Sequence, residues 1–198
     1  MGAPGVTAAV ILGGGRARRL DGADKAAVEV AGGPLVDRVY AAVRPCDPVI
    51  AVGPATLARA GLRVVREEPP WSGPAAAVAA GVAALPADAA ADAETWLLAC
   101  DLPRAGELVA LVGVIPIPRD ADAVVATDGD GRMQWLAGRY RIAALRRALS
   151  TRGSFDGVSM RDLLAPLRLT PVPVGDAALD LDTWDAIADY RRNEKEGS

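Results

Sequence analysis

The 198 residues carry 22 basic and 25 acidic side chains, a net charge of −3, and a hydrophobic fraction of 51% with only 4% aromatics. That length suits one domain under a prior of roughly 100–200 residues per domain, and the mildly acidic balance excludes the broad positive field of a nonspecific nucleic-acid binder. Histidine is absent, which excludes Ser-His-Asp, Cys-His and His-metal sites, and two cysteines, Cys46 and Cys100, make neither a disulfide framework nor a zinc cluster.

In chain order, the apolar run at 7–12 predicts a buried strand ending in Gly13-Gly14-Gly15. Pro34 then opens a helix over 35–43, residues 49–52 form a second strand, a short helix lies near 55–60, and a third strand spans 62–65. After the proline-rich loop 66–73, an Ala-rich helix runs over 74–85, and the continuous apolar run 96–100 predicts a strand covered on both faces that stops at Asp101. A helix over 105–113, strands at 122–127 and 133–138 around a DGDG turn, helices at 141–150 and 159–165, a strand at 167–174 and a helix at 182–192 complete the pattern. Alternating strands and helices predict a three-layer α/β/α sandwich with a mostly parallel sheet, mixed at the hairpin end. Residues 1–192 are expected to form one domain and 193–198 a frayed tail. No apolar run is long enough to cross a bilayer and no secretory leader precedes the first strand, so the chain is expected in the cytoplasm without membrane partners.

Residues 13–25, GGGRARRLDGADK, carry the strongest functional signal. Three glycines after a strand let backbone N–H groups converge on an anion, and Arg16, Arg18, Arg19 and Lys25 add positive charge. The run is not a P-loop, because no Gly-Lys-Ser/Thr follows. Nor is it the dinucleotide fingerprint, whose third small position holds Arg18. The 22 basic residues include only two lysines, Lys25 and Lys195, and the compact ammonium at 25 suits a phosphate; chance and a plain surface loop are the alternatives. Asp101, at the end of a buried strand, offers oxygen to a hard cation and equally could cap the next helix. Carboxylates, Lys, Arg and backbone amides remain after elimination. With a hard cation held by oxygen, these are the catalytic groups left to the chain.

The run VILGGGRARRLDGADKAAVEVAGGPL, residues 10–35, resembles the N-terminal signature of the MobA-like nucleotidyltransferases, the molybdenum cofactor guanylyltransferase family; Leu12, Gly14, Gly15, Arg19, Lys25, Gly32, Pro34 and Leu35 fill its places. Trp71-Ser72-Gly73-Pro74 is similar to the family's Gly-Pro segment, Cys100-Asp101-Leu102-Pro103 to its Cys-Asp-x-Pro element, and Leu181-Asp182-Thr183 to its late Asn-x-Asn-Thr element. The resemblance implies a Rossmann-like nucleotidyltransferase fold and Mg2+-dependent transfer of GMP from GTP to the phosphate of molybdopterin, with pyrophosphate released. It also implies transient partners in cofactor assembly. Leu12, Gly13, Gly14, Gly15 and Lys25 would hold the nucleotide, Glu67 the guanine base, and Asp101 the Mg2+ with Asp182 as a second ligand; Lys25, Arg19 and Asp101 would be the catalytic groups.

Gly13 stands where the family pattern has Ala, Leu20 where it has Met, and Asp21 where it has Gly. The polar residue of the pattern after the second strand is missing from AVGPAT at 51–56, and Asp180 and Asp182 replace the common Asn. CTP or another nucleotide with a different phosphorylated acceptor, and a non-catalytic nucleotide-binding partner, are the alternatives. Asp128 and Asp130 read as turn residues, the four tryptophans as core or cover, and Arg139 and Arg141 as surface charge or as contacts to an anionic acceptor.

Overall fold

The computed structural model describes residues 6–13, 28–30, 32–181 and 183–196. Its first half runs through β1 (Val6–Leu12), the hairpin strands β2 (Glu29–Val30) and β3 (Gly33–Pro34), α1 (Leu35–Val43), β4 (Val49–Val52), β5 (Leu62–Val65), α2 (Pro74–Ala83), β6 (Glu94–Ala99) and α3 (Ala105–Gly113). The second half adds β7 (Ala123–Thr127), β8 (Met133–Arg141), α4 (Ile142–Ser150), α5 (Met160–Leu164), β9 (Leu169–Pro173) and α6 (Trp184–Glu196).

Among the described residues, seven strands form one sheet in the order β5-β4-β1-β6-β8-β7-β9. Strands β5, β4, β1 and β6 are parallel, β8 runs antiparallel to both β6 and β7, and β9 returns parallel to β7. The mixed end expected from the DGDG turn is therefore present. Asp128 Oδ1 sets that turn by accepting from the N–H groups of Asp130 (3.0 Å) and Arg132 (2.9 Å).

The central strands are mostly apolar on both sides because helices cover both faces. On one face Ile11, Ala51 and Leu98 meet Val36 and Val39 of α1 and Leu108 of α3. On the other, Val10, Ile50 and Leu97 meet Val78 of α2, Leu145 of α4 and Leu163 of α5. The small residues of α2 set how near that helix lies. A Cβ on Gly81 would stand 2.4 Å from Val10 Cγ1 and 3.0 Å from Val52 Cγ2, so only glycine permits the approach. A third, smaller core joins Val28, Val30 and Leu35 to Leu181, Ile187 and Tyr190, packing α6 against the β2–β3 hairpin.

Several boundaries differ from the sequence reading. The helix expected near 55–60 is a single 3-10 turn, Ala55–Leu57, because the backbone of Ala58 is already extended (φ −59°, ψ 126°) and Gly61 turns the chain into β5. Strand β8 continues past residue 138 to Arg141, since β6 pairs with it as far as Glu94↔Arg141. The β2–β3 hairpin went unread, as two-residue strands carry no periodicity. Helix α6 continues past 192 to Glu196, taking in part of the tail expected to fray.

Candidate functional site

The four parallel strands end level with one another. Leu12 is in register with Val52 and Ala99, and Val52 with Val65. One step further, the N–H of Gly13 donates to Val52 O (2.9 Å), that of Gly53 to Val65 O (2.9 Å), and that of Cys100 to Leu12 O (3.0 Å). These bonds carry the sheet's pairing past its last strand residues. They bring the first glycine of the loop and the Asp101 segment onto adjacent strand ends, at the carboxyl edge where open α/β sheets bind ligands.

Asp101 is 6% exposed. Its carbonyl accepts the N–H of Leu181 at 3.1 Å, which draws Leu181 to the same edge. Helix α3 begins at Ala105 with Arg104 at its N-cap and no side-chain cap, so Asp101 is not the capping residue of that helix. Cys100 is buried within the α1–α3 core, leaving the aspartate as the chemical group this turn offers. Thr183 Oγ1 accepts the N–H of Ala186 (3.1 Å) and caps α6.

Glu67 follows β5 by two residues and is 5% exposed. Its Oε1 accepts the N–H of Trp71 at 3.1 Å, while its Oε2 is buried with no hydrogen-bond partner among the described residues. A buried carboxylate oxygen left in that condition costs desolvation energy, about 1–3 kcal/mol or more for a charged group, unless something donates to it. The loop holding it is closed by Ser72 Oγ donating to Pro69 O at 2.6 Å. Trp71 adopts φ +70°, uncommon for a residue with a side chain, and its half-exposed ring lies under the Arg66 guanidinium, 5.1 Å from the centroid.

Of the residues singled out in sequence, Leu12, Gly13, Glu67 and Asp101 all follow or close the parallel strands at this edge. Gly14, Gly15, Arg19, Lys25 and Asp182 lie outside the described residues. At Gly13 the fold leaves little room for a side chain. A Cβ there would stand 2.6 Å from Leu57 Cδ1 and 2.8 Å from Cδ2, and Leu57 is fully buried, so its side chain fills the space an alanine methyl would need.

Arg139 corrects the sequence reading. It is neither surface charge nor open to an acceptor but 1% exposed, its Nη1 lying 3.3 Å from Glu94 Oε2 and its Nη2 bonded to Ile115 O. Arg141 holds the carbonyls of Ala121 and Ile117, each at 3.2 Å. One residue tied to the site escaped notice in the sequence: Arg38, within LVDRVYAAV, donates to Val30 O and Pro103 O. Leu181, marked in sequence as part of the late element, donates its backbone N–H to Asp101 O.

A mostly parallel α/β/α sheet, with a glycine-rich strand end beside a buried aspartate at its carboxyl edge, defines the Rossmann-like nucleotide-handling class of fold. Residues 9–170 match the MobA-like NTP transferase domain, and the chain belongs to that family. It is 33% identical over 105 residues to a probable molybdenum cofactor guanylyltransferase of Haloferax mediterranei, a match covering 48% of each chain; the chain thus spans about half the length of the curated relatives it matches. Its fold is similar to the crystal structure of molybdopterin-guanine dinucleotide biosynthesis protein A from Archaeoglobus fulgidus, with TM-score 0.67, 17% identity and coverage of 96% of this chain and 100% of the other. It is also similar to 2-C-methyl-D-erythritol 4-phosphate cytidylyltransferase from Thermus thermophilus, with TM-score 0.63, 16% identity and coverage of 94% and 98%. No helix among the described residues is long and apolar enough to cross a membrane.

Proposed function

We propose that the chain is a nucleotidyltransferase that moves GMP from GTP to the phosphate of molybdopterin and releases pyrophosphate. The observation that carries this reading is the buried Asp101 on the strand end next to Leu12 and Gly13, where the glycine- and arginine-rich loop begins. An acceptor phosphate oxygen attacks the α-phosphorus, a P–O bond forms there, and the bond to the β-phosphate breaks. The glycine-loop N–H groups, Lys25 and Arg19 hold the triphosphate in line and take up the negative charge that moves onto the leaving pyrophosphate.

Mg2+ suits the donor set. Asp101 is a hard oxygen donor, and no group of three His, Cys, Asp or Glu side chains gathers among the described residues. One carboxylate with phosphate and water completing the shell is a coordination Mg2+ accepts. Asp101 would hold the ion, with Asp182 as a second ligand, and the bound ion would neutralise phosphate charge.

Guanine is favoured by Glu67, whose Oε2 has no hydrogen-bond partner among the described residues, since the base presents adjacent N–H donors along its pairing edge for a carboxylate to accept. One observation favours CTP instead: Gly53-Pro54 puts no polar side chain after β4, and the similar Thermus structure is of a cytidylyltransferase. Offering the four nucleoside triphosphates with Mg2+ decides between them, because a ligand at 100 times its Kd adds about 2.7 kcal/mol of stability. GTP is expected to give the largest thermal shift, and GTP plus molybdopterin to release pyrophosphate. Lys25→Ala and Asp101→Ala should abolish transfer and leave the far-UV spectrum unchanged. Equal shifts with all four nucleotides, or fully active variants, would refute the reading.

A further inference from the structure

We infer that Arg38 is a positioning residue that sets the separation between the end of β2 and the Asp101 turn; this rests on the transfer reaction proposed above. Arg38 sits on α1 between core-facing residues and is half-buried. Its Nη2 donates to Val30 O at 3.3 Å and its Nη1 to Pro103 O at 3.4 Å. Val30 ends β2, the short strand by which the chain returns from the loop of residues 13–25, and Pro103 lies two residues beyond Asp101. One guanidinium therefore ties the end of β2 to the Asp101 segment.

The chemistry of the group suits this task. A guanidinium is a planar fork of donors whose nitrogens keep a fixed spacing, so two carbonyls bound to it are held at a fixed separation. A lysine ammonium is a point donor on a flexible stem and imposes no such spacing. A second connection runs in parallel. Leu181 donates its N–H to Asp101 O, and its side chain is fully buried against Val28, Val30 and Leu35.

The strands that precede and follow the loop, β1 and β2, are thus anchored to the Asp101 segment by different means. At β1 the anchor is sheet hydrogen bonding, Cys100 N–H to Leu12 O at 3.0 Å, which no side chain controls. At β2 it is Arg38 together with the Leu181 packing. In-line transfer is sensitive to this spacing, since misplacing reacting groups by about 1 Å can cost on the order of a hundredfold in rate. Arg38 touches neither substrate nor metal in this account, and its positioning role runs through the carbonyls of Val30 and Pro103.

The test compares wild type with Arg38→Met, which keeps the apolar stem, and Arg38→Lys, which keeps the charge. Three readouts are taken: the thermal midpoint, amide hydrogen exchange at residues 28–35 and 100–105 with and without GTP and Mg2+, and steady-state transfer to molybdopterin. In Arg38→Met, exchange is expected to rise in both segments together even without ligand. Its kcat is expected to fall about tenfold to a hundredfold while KM for GTP moves less than about threefold, the pattern of a lost transition-state alignment. The midpoint should move by less than about 3 °C, and Arg38→Lys should recover part of kcat. Unchanged kcat in Arg38→Met, a loss that merely follows the midpoint, or exchange rising in one segment alone would overturn the inference. Failure of the transfer reading shows elsewhere, in wild type that neither transfers nor gains protection with GTP; failure of the Arg38 inference shows in the variants while wild type is active.

Discussion

Removing Arg139 should destabilise the protein more than an ordinary surface arginine. β8 places Arg139 opposite Trp96 on β6, at the centre of the sheet, where its guanidinium lies 5.8 Å from the indole centroid and beside Glu94. Both partners are buried, so the pair contributes little net energy as a pair, but deleting one member leaves a charge without compensation. Arg139→Met should therefore cost about 3–5 kcal/mol, and at roughly 2–4 °C per kcal/mol for a chain of this size the midpoint should drop about 6–20 °C. Glu94→Gln should cost a comparable amount, because a buried guanidinium cannot shed its proton. The double variant Arg139→Met/Glu94→Gln should fall short of the sum by about 1–3 kcal/mol, the mark of direct coupling.

Acid sharpens the test. Burial pushes the Glu94 carboxyl above its ordinary value, with Arg139 and Arg141 pulling it back and Asp92 adding to the rise. Losing Arg139 removes the largest pull, so the folded-state pKa climbs further above the unfolded one. A carboxyl raised in the fold binds more protons when native. Stability of the variant is then greatest below the unfolded value of about 4.3 and declines as pH rises through the raised one. The penalty of Arg139→Met should accordingly shrink as pH falls from 7 towards the unfolded value. Urea unfolding followed by far-UV circular dichroism at several pH values measures it. A penalty under about 1 kcal/mol at pH 7, or strict additivity in the double variant, would refute the reasoning.

Gly81→Ala should destabilise by about 1–3 kcal/mol despite alanine's better helix propensity, because Val10 and Val52 are stiff β-branched residues of the central strands; a stabilised variant in urea unfolding would contradict the close helix approach. Gly13→Ala should cost about 1–2 kcal/mol, and Leu57→Ala should cost less in that background than alone, so a double-mutant cycle with no coupling would remove Leu57 as the cause. Asp122 is raised by burial but held below its usual value overall by the N–H of Arg168, the Arg147 hydrogen bond and the charges of both arginines. Its contribution is present above the unfolded pKa and lost as pH falls through the depressed one. Asp122→Asn should therefore lie well below wild type in stability at pH 7 and approach it in acid, and a pH-independent gap would count against the assignment.

Much of the fold was legible because buried strands and amphipathic helices write their period into the chain. The run at 96–100 ending at Asp101 announced a strand covered on both faces, and Pro74 marked the start of α2. The two-residue strands of the β2–β3 hairpin were not legible, and the 3-10 turn at Ala55–Leu57 was read as a longer helix near 55–60, since the conformation of such short elements comes from neighbours rather than from a repeating pattern. The candidate site divides in the same way. Leu12, Gly13 and Asp101 could be marked as strand-end residues from hydrophobic runs that stop abruptly.

Composition and pattern by themselves excluded histidine-based chemistry and determined the alternation of strand and helix, because the absence of histidine and the period of apolar residues are properties of the chain alone. Only the tertiary structure decided which charges are buried and which segments hold the site in place. Arg139 and Arg38 are the same residue type, each within an ordinary-looking stretch. One pairs with Glu94 inside the sheet and the other bridges Val30 and Pro103, since hydrogen bonds between residues distant in sequence depend on how the elements pack and leave no local trace.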